Sequence, residues 1–290
     1  MANLKLQHRM SGRKWKQKAT GGSWQDQPEL NDYLSSSICA DYETGVYGAV
    51  RVAAREGPFQ NAVSIGSGLA DQERKLVRLG LVQHFDLFEI SDDRVADCRR
   101  LIENEGFTKN FKVHKEDALK LDKTEAYHLV FWSHSLHHMF DVNHALAWSV
   151  KALRPSGCLL VSDYIGPTRL QWGREEVRLA KQFLVNNEDV LKIAPSRVRS
   201  GSPFRRLKQY LRDPSEAPQS DRILSAYKAQ TGTSMQNLGG AMIHLCGGFL
   251  GAARTEDPQI FDRLIEYDKS AREQGIAHFA FGLWCKPNET

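Results

Sequence analysis

Five cysteines, Cys39, Cys98, Cys158, Cys246 and Cys285, are scattered through 290 residues with no C-x-x-C or other close pair among them. That spacing argues against a zinc ribbon and against the disulfide framework of a small secreted domain, and leaves buried free thiols as the expectation. Long apolar runs are missing too. Nothing approaches the ~18 uninterrupted apolar residues of a membrane span, and the N-terminus lacks the apolar stretch of a secretion signal. A cytoplasmic protein with no membrane partner is expected. Acids are absent from the first twenty residues, which carry Lys5, Arg9, Arg13, Lys14, Lys16 and Lys18, whereas the remainder of this chain of formal charge +4 is nearly neutral. A nucleic-acid surface normally places its basic footprint on the folded domain. Residues 1–27 therefore read as a solvated, partly disordered basic leader, with a functional basic arm as the alternative, and nucleic acid is not the expected partner.

The rest is ordinary globular composition, 41% hydrophobic and 26% charged, long enough for one large domain with an insertion. A helical pattern runs from Pro28 to about Arg55. Asn61–Ile65 then reads as a buried strand that stops at Gly66-Ser67-Gly68, and helical spacing follows from Asp71 to Leu79. Further strands are expected at His84–Ile90, Phe111–His114, Tyr127–Ser133 and Cys158–Val161. Helices are expected from Asp92-Asp93, where two acids suit an N-terminus, and over Asn143–Leu153, closed by Arg154-Pro155-Ser156-Gly157. Beyond Asp163 the rhythm breaks into a helix, Arg174–Val185, and a polar stretch with four prolines. A helix over Pro258–Gln274 and an edge strand over Ala277–Cys285 end the pattern, which contains no internal repeat.

Strands alternating with helices at this pitch imply parallel pairing and right-handed crossovers. The expected fold is α/β: a Rossmann-like, doubly wound, mostly parallel seven-stranded sheet with an antiparallel edge strand and a helical cap insertion. Residues 28–166 and 236–290 form the main domain in this reading, and 167–235 the inserted cap on the acceptor side.

Ligands of such sheets bind at the carboxyl ends of the strands. Gly66 and Gly68 let the backbone turn sharply and approach a ligand with no Cβ in the way, although a G-x-G by itself equally suits a plain tight turn. Glu89 closes the second strand, where a carboxylate can accept from two ribose hydroxyls; a surface acid is the alternative. Asp117 can accept from an adenine amine beside the small Ala118, or simply cap a helix. Ser133-His134-Ser135-Leu136-His137-His138 follows the fourth strand. A dinucleotide site would need a third glycine after Gly66-Ser67-Gly68, and Asp71 stands near that place, where its charge repels phosphate. Adenosylmethionine has no phosphate, and its cationic end tolerates acids.

Ser64-Ile65-Gly66-Ser67-Gly68, Phe88-Glu89-Ile90-Ser91, Glu116-Asp117-Ala118 and Leu153-Arg154-Pro155-Ser156-Gly157 together resemble the ordered motifs of class I S-adenosylmethionine-dependent methyltransferases. Over about 30–285, the run Ser133–His138, the segment Asp163–Trp172 and Asp213-Pro214-Ser215-Glu216-Ala217 resemble a bacterial subgroup acting on small molecules and often associated with glycans. The resemblance implies S-adenosyl-L-methionine as cofactor and S-adenosyl-L-homocysteine as product, with Gly66, Ser67, Gly68, Glu89, Ile90, Asp117, Ala118, Ser133 and His134 lining the cofactor. The sequence departs from the family where Ser64 and Ser67 replace the usual cysteine or aspartate, and where extra glycines follow Gly239-Gly240.

Methyl transfer from a sulfonium is an in-line displacement that rewards positioning, and a hydroxyl acceptor also needs a base. His137 and His138 are the candidate bases, with capping of the cleft as their structural alternative, and Asp163 ends the fifth strand as a third candidate. No metal is expected, because His134, His137 and His138 have no acid beside them in the motif. Tyr164, Arg169, Gln171 and Trp172 offer an aromatic face beside polar donors, suited to a polyhydroxylated ring, and Glu216 is the candidate acid from the cap. The expected function is transfer of a methyl group to an oxygen of a small molecule, a saccharide or natural product. N-methylation of a similar acceptor and a non-catalytic cofactor-binding scaffold are the alternatives. Base methylation is opposed by Ser133-His134-Ser135-Leu136, which stands where such enzymes carry an Asn/Asp-Pro-Pro-aromatic run. A homodimer is left open.

Overall fold

The computed structural model describes residues 23–39, 45–251 and 253–288. Helices α1 (Pro28–Ser36) and α2 (Val46–Ala53) lead into β1 (Phe59–Ile65). The alternation continues through α3 (Asp71–Arg78), β2 (Val82–Phe88), α4 (Asp92–Asn104), β3 (Phe111–His114), β4 (Tyr127–Ser133), α5 (Val142–Ala152) and β5 (Leu153–Tyr164). Between β5 and β6 (Gln236–Gly239) lie α6 (Arg174–Asn186), α7 (Glu188–Leu191), α8 (Pro203–Arg212) and α9 (Ile223–Thr231); α10 (Ala241–Cys246), α11 (Ile260–Glu273) and β7 (Phe279–Cys285) follow.

The seven strands form one sheet in the order β3-β2-β1-β4-β5-β7-β6. The pairs among β1 to β5 are parallel, and β7 runs antiparallel to both β5 and β6. The central strands are apolar at nearly every position because both their faces are covered. Leu129, Phe131 and Leu160 pack on one side with α3 and α4, while Val130, Trp132, Leu159 and Val161 pack on the other with α5 and α9. Strand order reverses between β1 and β4, so the loops after these two strands, Gly66–Ala70 and His134–Phe140, border the crevice where ligands of open sheets sit.

Several expectations need correction. The last strand is antiparallel but not at the edge: it lies between β5 and β6, and β6, whose four residues carry little apolar signal, is the edge. The segment Arg154-Pro155-Ser156-Gly157 does follow the end of α5, at Ala152, but β5 already begins at Leu153 and includes it as an irregular stretch between the pairs Tyr127–Leu153 and Leu129–Cys158. The helical pattern before β1 is two helices rather than one. The basic run of the leader lies outside the described residues, yet Ser23–Gln27 is folded, with a capped 3-10 turn that buries Trp24 against Phe279 at 5.2 Å between ring centres.

The thiols also differ from expectation. Cys158 and Cys285 are joined in a disulfide, because β5 and β7 pair with these two residues directly opposite each other although 127 positions apart in sequence. Cys39, Cys98 and Cys246 are free, and burial pushes the Cys98 thiol up to about 12. Among the described residues no helix is long and apolar enough to cross a membrane.

Candidate active site

A cavity of about 350 Å³ opens at the carboxyl ends of β1, β2 and β4, lined among others by Gly66, Glu89, Ile90, Asp117, Ala118 and Ser135. Gly66 has φ +68°, a conformation costly for other residues, and a Cβ there would stand 3.0 Å from the Ser135 Cβ. The bend can therefore close against the β4 loop only as glycine. Its backbone is held by the Gly66 N–H donating to the Phe88 carbonyl at 2.8 Å. The buried Glu89 carboxylate accepts from Ile90 and Ser91 N–H at 2.7 and 2.8 Å on one oxygen and from Gly68 N–H at 3.1 Å on the other. Two loops are thus aligned on one carboxylate at the cavity wall. Asp117 caps the 3-10 turn Ala118–Lys120 through the Leu119 N–H at 3.1 Å and also lines the cavity.

These residues fit adenosylmethionine. Buried hydroxyls of Ser67 and Ser135 have no hydrogen-bond partner among the described residues, nor has the Gln72 side-chain oxygen, so the glycine bend and the loop facing it carry polar atoms suited to a polar ligand. The start of α3 is acidic. Asp71 pairs with Arg74, and the buried Glu73, bound by the Ser64 hydroxyl at 2.5 Å, is pushed up to about 7 by burial. Acids at this helix N-terminus oppose a pyrophosphate and tolerate a cationic ligand. Ser67, Gly68, Ser133 and His134 do not line this cavity; Ser67 and Gly68 shape the bend, and His134 is exposed with φ +50° and its ring edge-on to Phe279.

The β4 loop is fastened to the end of β5 by Asp163. One of its oxygens accepts from Ser135 and Leu136 N–H at 3.0 and 2.7 Å; the other accepts from Tyr164 N–H at 2.7 Å and lies 2.5 Å from His137 Nδ1. Burial alone would raise this carboxyl, but the His137 charge and hydrogen bond, with the backbone donors, hold it below the usual range. Burial likewise works against His137 being charged, and the Asp163 carboxylate outweighs it and raises the imidazole. His138, by contrast, lines the cavity; its Nδ1 donates to the Ser215 carbonyl at 3.0 Å, and burial followed by the His137 charge lowers its pKa.

Two of the residues expected to meet the acceptor serve the cap instead. Arg169 is buried, stacks on Tyr210 and donates to the carbonyls of Asp213, Pro214 and Glu216, which latches the loop that brings Ser215 to the cavity. Gln171 donates to the Arg169 carbonyl and accepts from the Ser202 N–H. Tyr164 and Trp172 do not line the cavity; each ring stands edge-on to His244, at 5.3 and 5.8 Å, and the buried Trp172 Nε1 has no hydrogen-bond partner among the described residues. Glu216 lies near enough for its charge to raise His137.

Beside these rings lies a relay that the sequence did not reveal. Glu176 on α6 accepts from His278 Nε2 at 3.2 Å, and His278 Nδ1 lies 3.1 Å from His244 Nδ1. Burial would raise Glu176, but the His278 hydrogen bond and charge hold it low, so it is an ionised acceptor. With Glu176 as acceptor, His278 holds a proton on Nε2. Burial, then His278 and His137, push His244 down to about 3. Among the described residues no group of three or more His, Cys, Asp or Glu could hold a metal.

Comparison with known proteins agrees with this geometry. Residues 63–161 match the methyltransferase domain family. No curated protein matches the sequence. Among solved structures, phosphoethanolamine N-methyltransferase 2 of Haemonchus contortus, in complex with S-adenosyl-L-methionine, is 12% identical with a TM-score of 0.52, over 91% of this chain and 59% of that one. A candidate sarcosine dimethylglycine methyltransferase of Galdieria sulphuraria is 13% identical with a TM-score of 0.50, over 98% and 99%. The cyclase SpnF is 13% identical with a TM-score of 0.50, over 94% and 98%. The methyltransferase-domain match runs from within β1 to within β5, and the pocket at the carboxyl ends of these strands opposes a phosphate; this part of the chain is similar to the methyltransferase domain, and an S-adenosylmethionine-dependent methyltransferase is the enzyme these findings indicate.

Proposed function

We propose that this enzyme methylates a hydroxyl oxygen of a small polyhydroxylated acceptor, a saccharide or similar natural product, with His138 as the base. The observation that carries this reading is the tautomer of His138. Because a carbonyl can only accept, Nδ1 must hold the proton, so in the neutral ring the basic nitrogen is Nε2, on a residue that lines the cavity. The lowered pKa keeps that ring neutral near pH 7, whereas the Asp163 carboxylate raises His137 against its burial, and His137 acts through position. Adenosylmethionine supplies an electrophilic methyl on a sulfonium. Glu89 and Asp117 orient its adenosine.

Transfer to nitrogen is the second reading, favoured by the name of the Haemonchus contortus enzyme, whose fold this chain shares over most of its length. Release of S-adenosylhomocysteine from a panel of neutral saccharides and matched amino sugars separates the two, with the methyl carbon of the product read by NMR. An O-methyl product is expected. Turnover confined to amines, with every hydroxyl acceptor silent, overturns the oxygen reading.

A further inference from the structure

Helix α8 is turned inside out. Its ten residues, Pro203–Arg212, include none that is buried, and Phe204, Leu207 and Leu211 are 76%, 55% and 60% exposed. At about 100° per residue these three fall within one arc of about 60°. The partly buried residues, Arg205, Gln209 and Tyr210, lie on the opposite side, where Tyr210 takes Arg169 over its ring at 5.3 Å. A surface helix ordinarily points its apolar stripe at the core; this one points it at solvent and rests on its polar side.

The charge around the stripe names what would cover it. From residue 190 to 212 there is no acid, and Arg197, Arg199, Arg205, Arg206, Lys208 and Arg212 crowd the end of that stretch, while the whole chain has a formal excess of only +4. Lys208 and Arg212 flank the apolar arc on one side. A basic helix with a strong apolar stripe and low overall hydrophobicity lies in the interface of an anionic bilayer, its stripe among the acyl chains and its cations among the phosphates. A second copy of the same face would set cation against cation, and the phosphate backbone of a nucleic acid would leave the stripe unmatched.

We propose that α8 docks this protein on anionic lipid surfaces, lying on the bilayer rather than spanning it. The inference is independent of the acceptor, although the same helix leans through Tyr210 on Arg169, which holds the loop carrying Ser215 into the cavity. A bound bilayer would thus sit one side chain away from the active-site cap.

The test is co-sedimentation of the full chain with vesicles of phosphatidylcholine alone and of phosphatidylcholine mixed with phosphatidylglycerol. Retention on the mixed vesicles only, falling with added salt, is expected. Phe204→Ser/Leu207→Ser/Leu211→Ser and, separately, Lys208→Glu/Arg212→Glu should each weaken it about tenfold or more. S-adenosylhomocysteine binding and thermal melting of both variants should match the parent, since these side chains are exposed. Absence of retention overturns the proposal, and so does retention that survives both variants, which would assign it to the basic leader. An apolar-dependent dimer seen by analytical ultracentrifugation without vesicle binding also overturns it, in favour of a second copy.

Discussion

Asp163 and His137 form a buried ion pair, 2.5 Å between Oδ1 and Nδ1, that also pins the end of β5 to the loop after β4. The His137 pKa is raised, so its contribution is whole below the unfolded value and is lost as pH rises through the folded one. The Asp163 pKa is lowered, so its contribution is whole above the unfolded value and is lost as pH falls through the folded one. Stability from the pair is therefore greatest between about pH 4 and 6.5. Asp163→Asn should lose about 3–5 kcal/mol in that window and flatten the profile. Urea midpoints measured from acid to alkaline pH read it, and an unaltered profile would remove the pair as a stabilising element.

His138→Gln keeps a side chain of similar size and removes the base. We expect kcat to fall about 10²- to 10⁴-fold with S-adenosylhomocysteine affinity retained, whereas His137→Gln should cost stability as well as rate. Calorimetry and single-turnover rates separate the cases. Wild-type turnover from the His138 variant would end its assignment as base.

Glu89 accepts three backbone N–H groups at the cofactor wall. Glu89→Gln turns one acceptor into a donor facing those N–H groups, and charged hydrogen bonds of this kind are worth about 1.5–3 kcal/mol. An affinity loss for S-adenosylhomocysteine of roughly 10- to 100-fold is expected by titration calorimetry. Equal affinity would show that the carboxylate does not face the ligand.

Gly66 and Gly80 share φ +68°, but only at Gly66 would a Cβ meet a neighbour. Gly80→Ala should cost about 1–2 kcal/mol for conformation alone. Gly66→Ala should cost more and also weaken cofactor binding, because it pushes the bend away from Ser135. Thermal melting with and without ligand compares them.

Reduction of Cys158–Cys285 opens a link between strands that are otherwise fully paired. A loss of about 2–5 kcal/mol on adding a reductant is expected, abolished in Cys158→Ala/Cys285→Ala. Identical denaturation curves under both conditions would contradict the cross-link.

The cofactor half was legible in the sequence because its signals are local. Each of Gly66, Glu89 and Asp117 follows its own strand within three residues, and an apolar run with a turn after it locates a strand end without knowledge of its neighbours. What the acceptor side does was not legible in this way. Arg169 and Gln171 have the chemistry of substrate donors, and only the path of the 213–217 loop makes them latches.

The amino-acid order by itself determined the alternation of strands and helices, the glycine bend and the acids that refuse a phosphate, since these depend on propensity, spacing and charge. Only the tertiary structure decided that Cys158 faces Cys285, that Glu176, His278 and His244 form one relay, and that the apolar stripe of α8 points outward. Each of those facts joins positions far apart in the chain or sets the direction of a face. Pairing and orientation are fixed by how the sheet is ordered and covered, which no local pattern of residues contains.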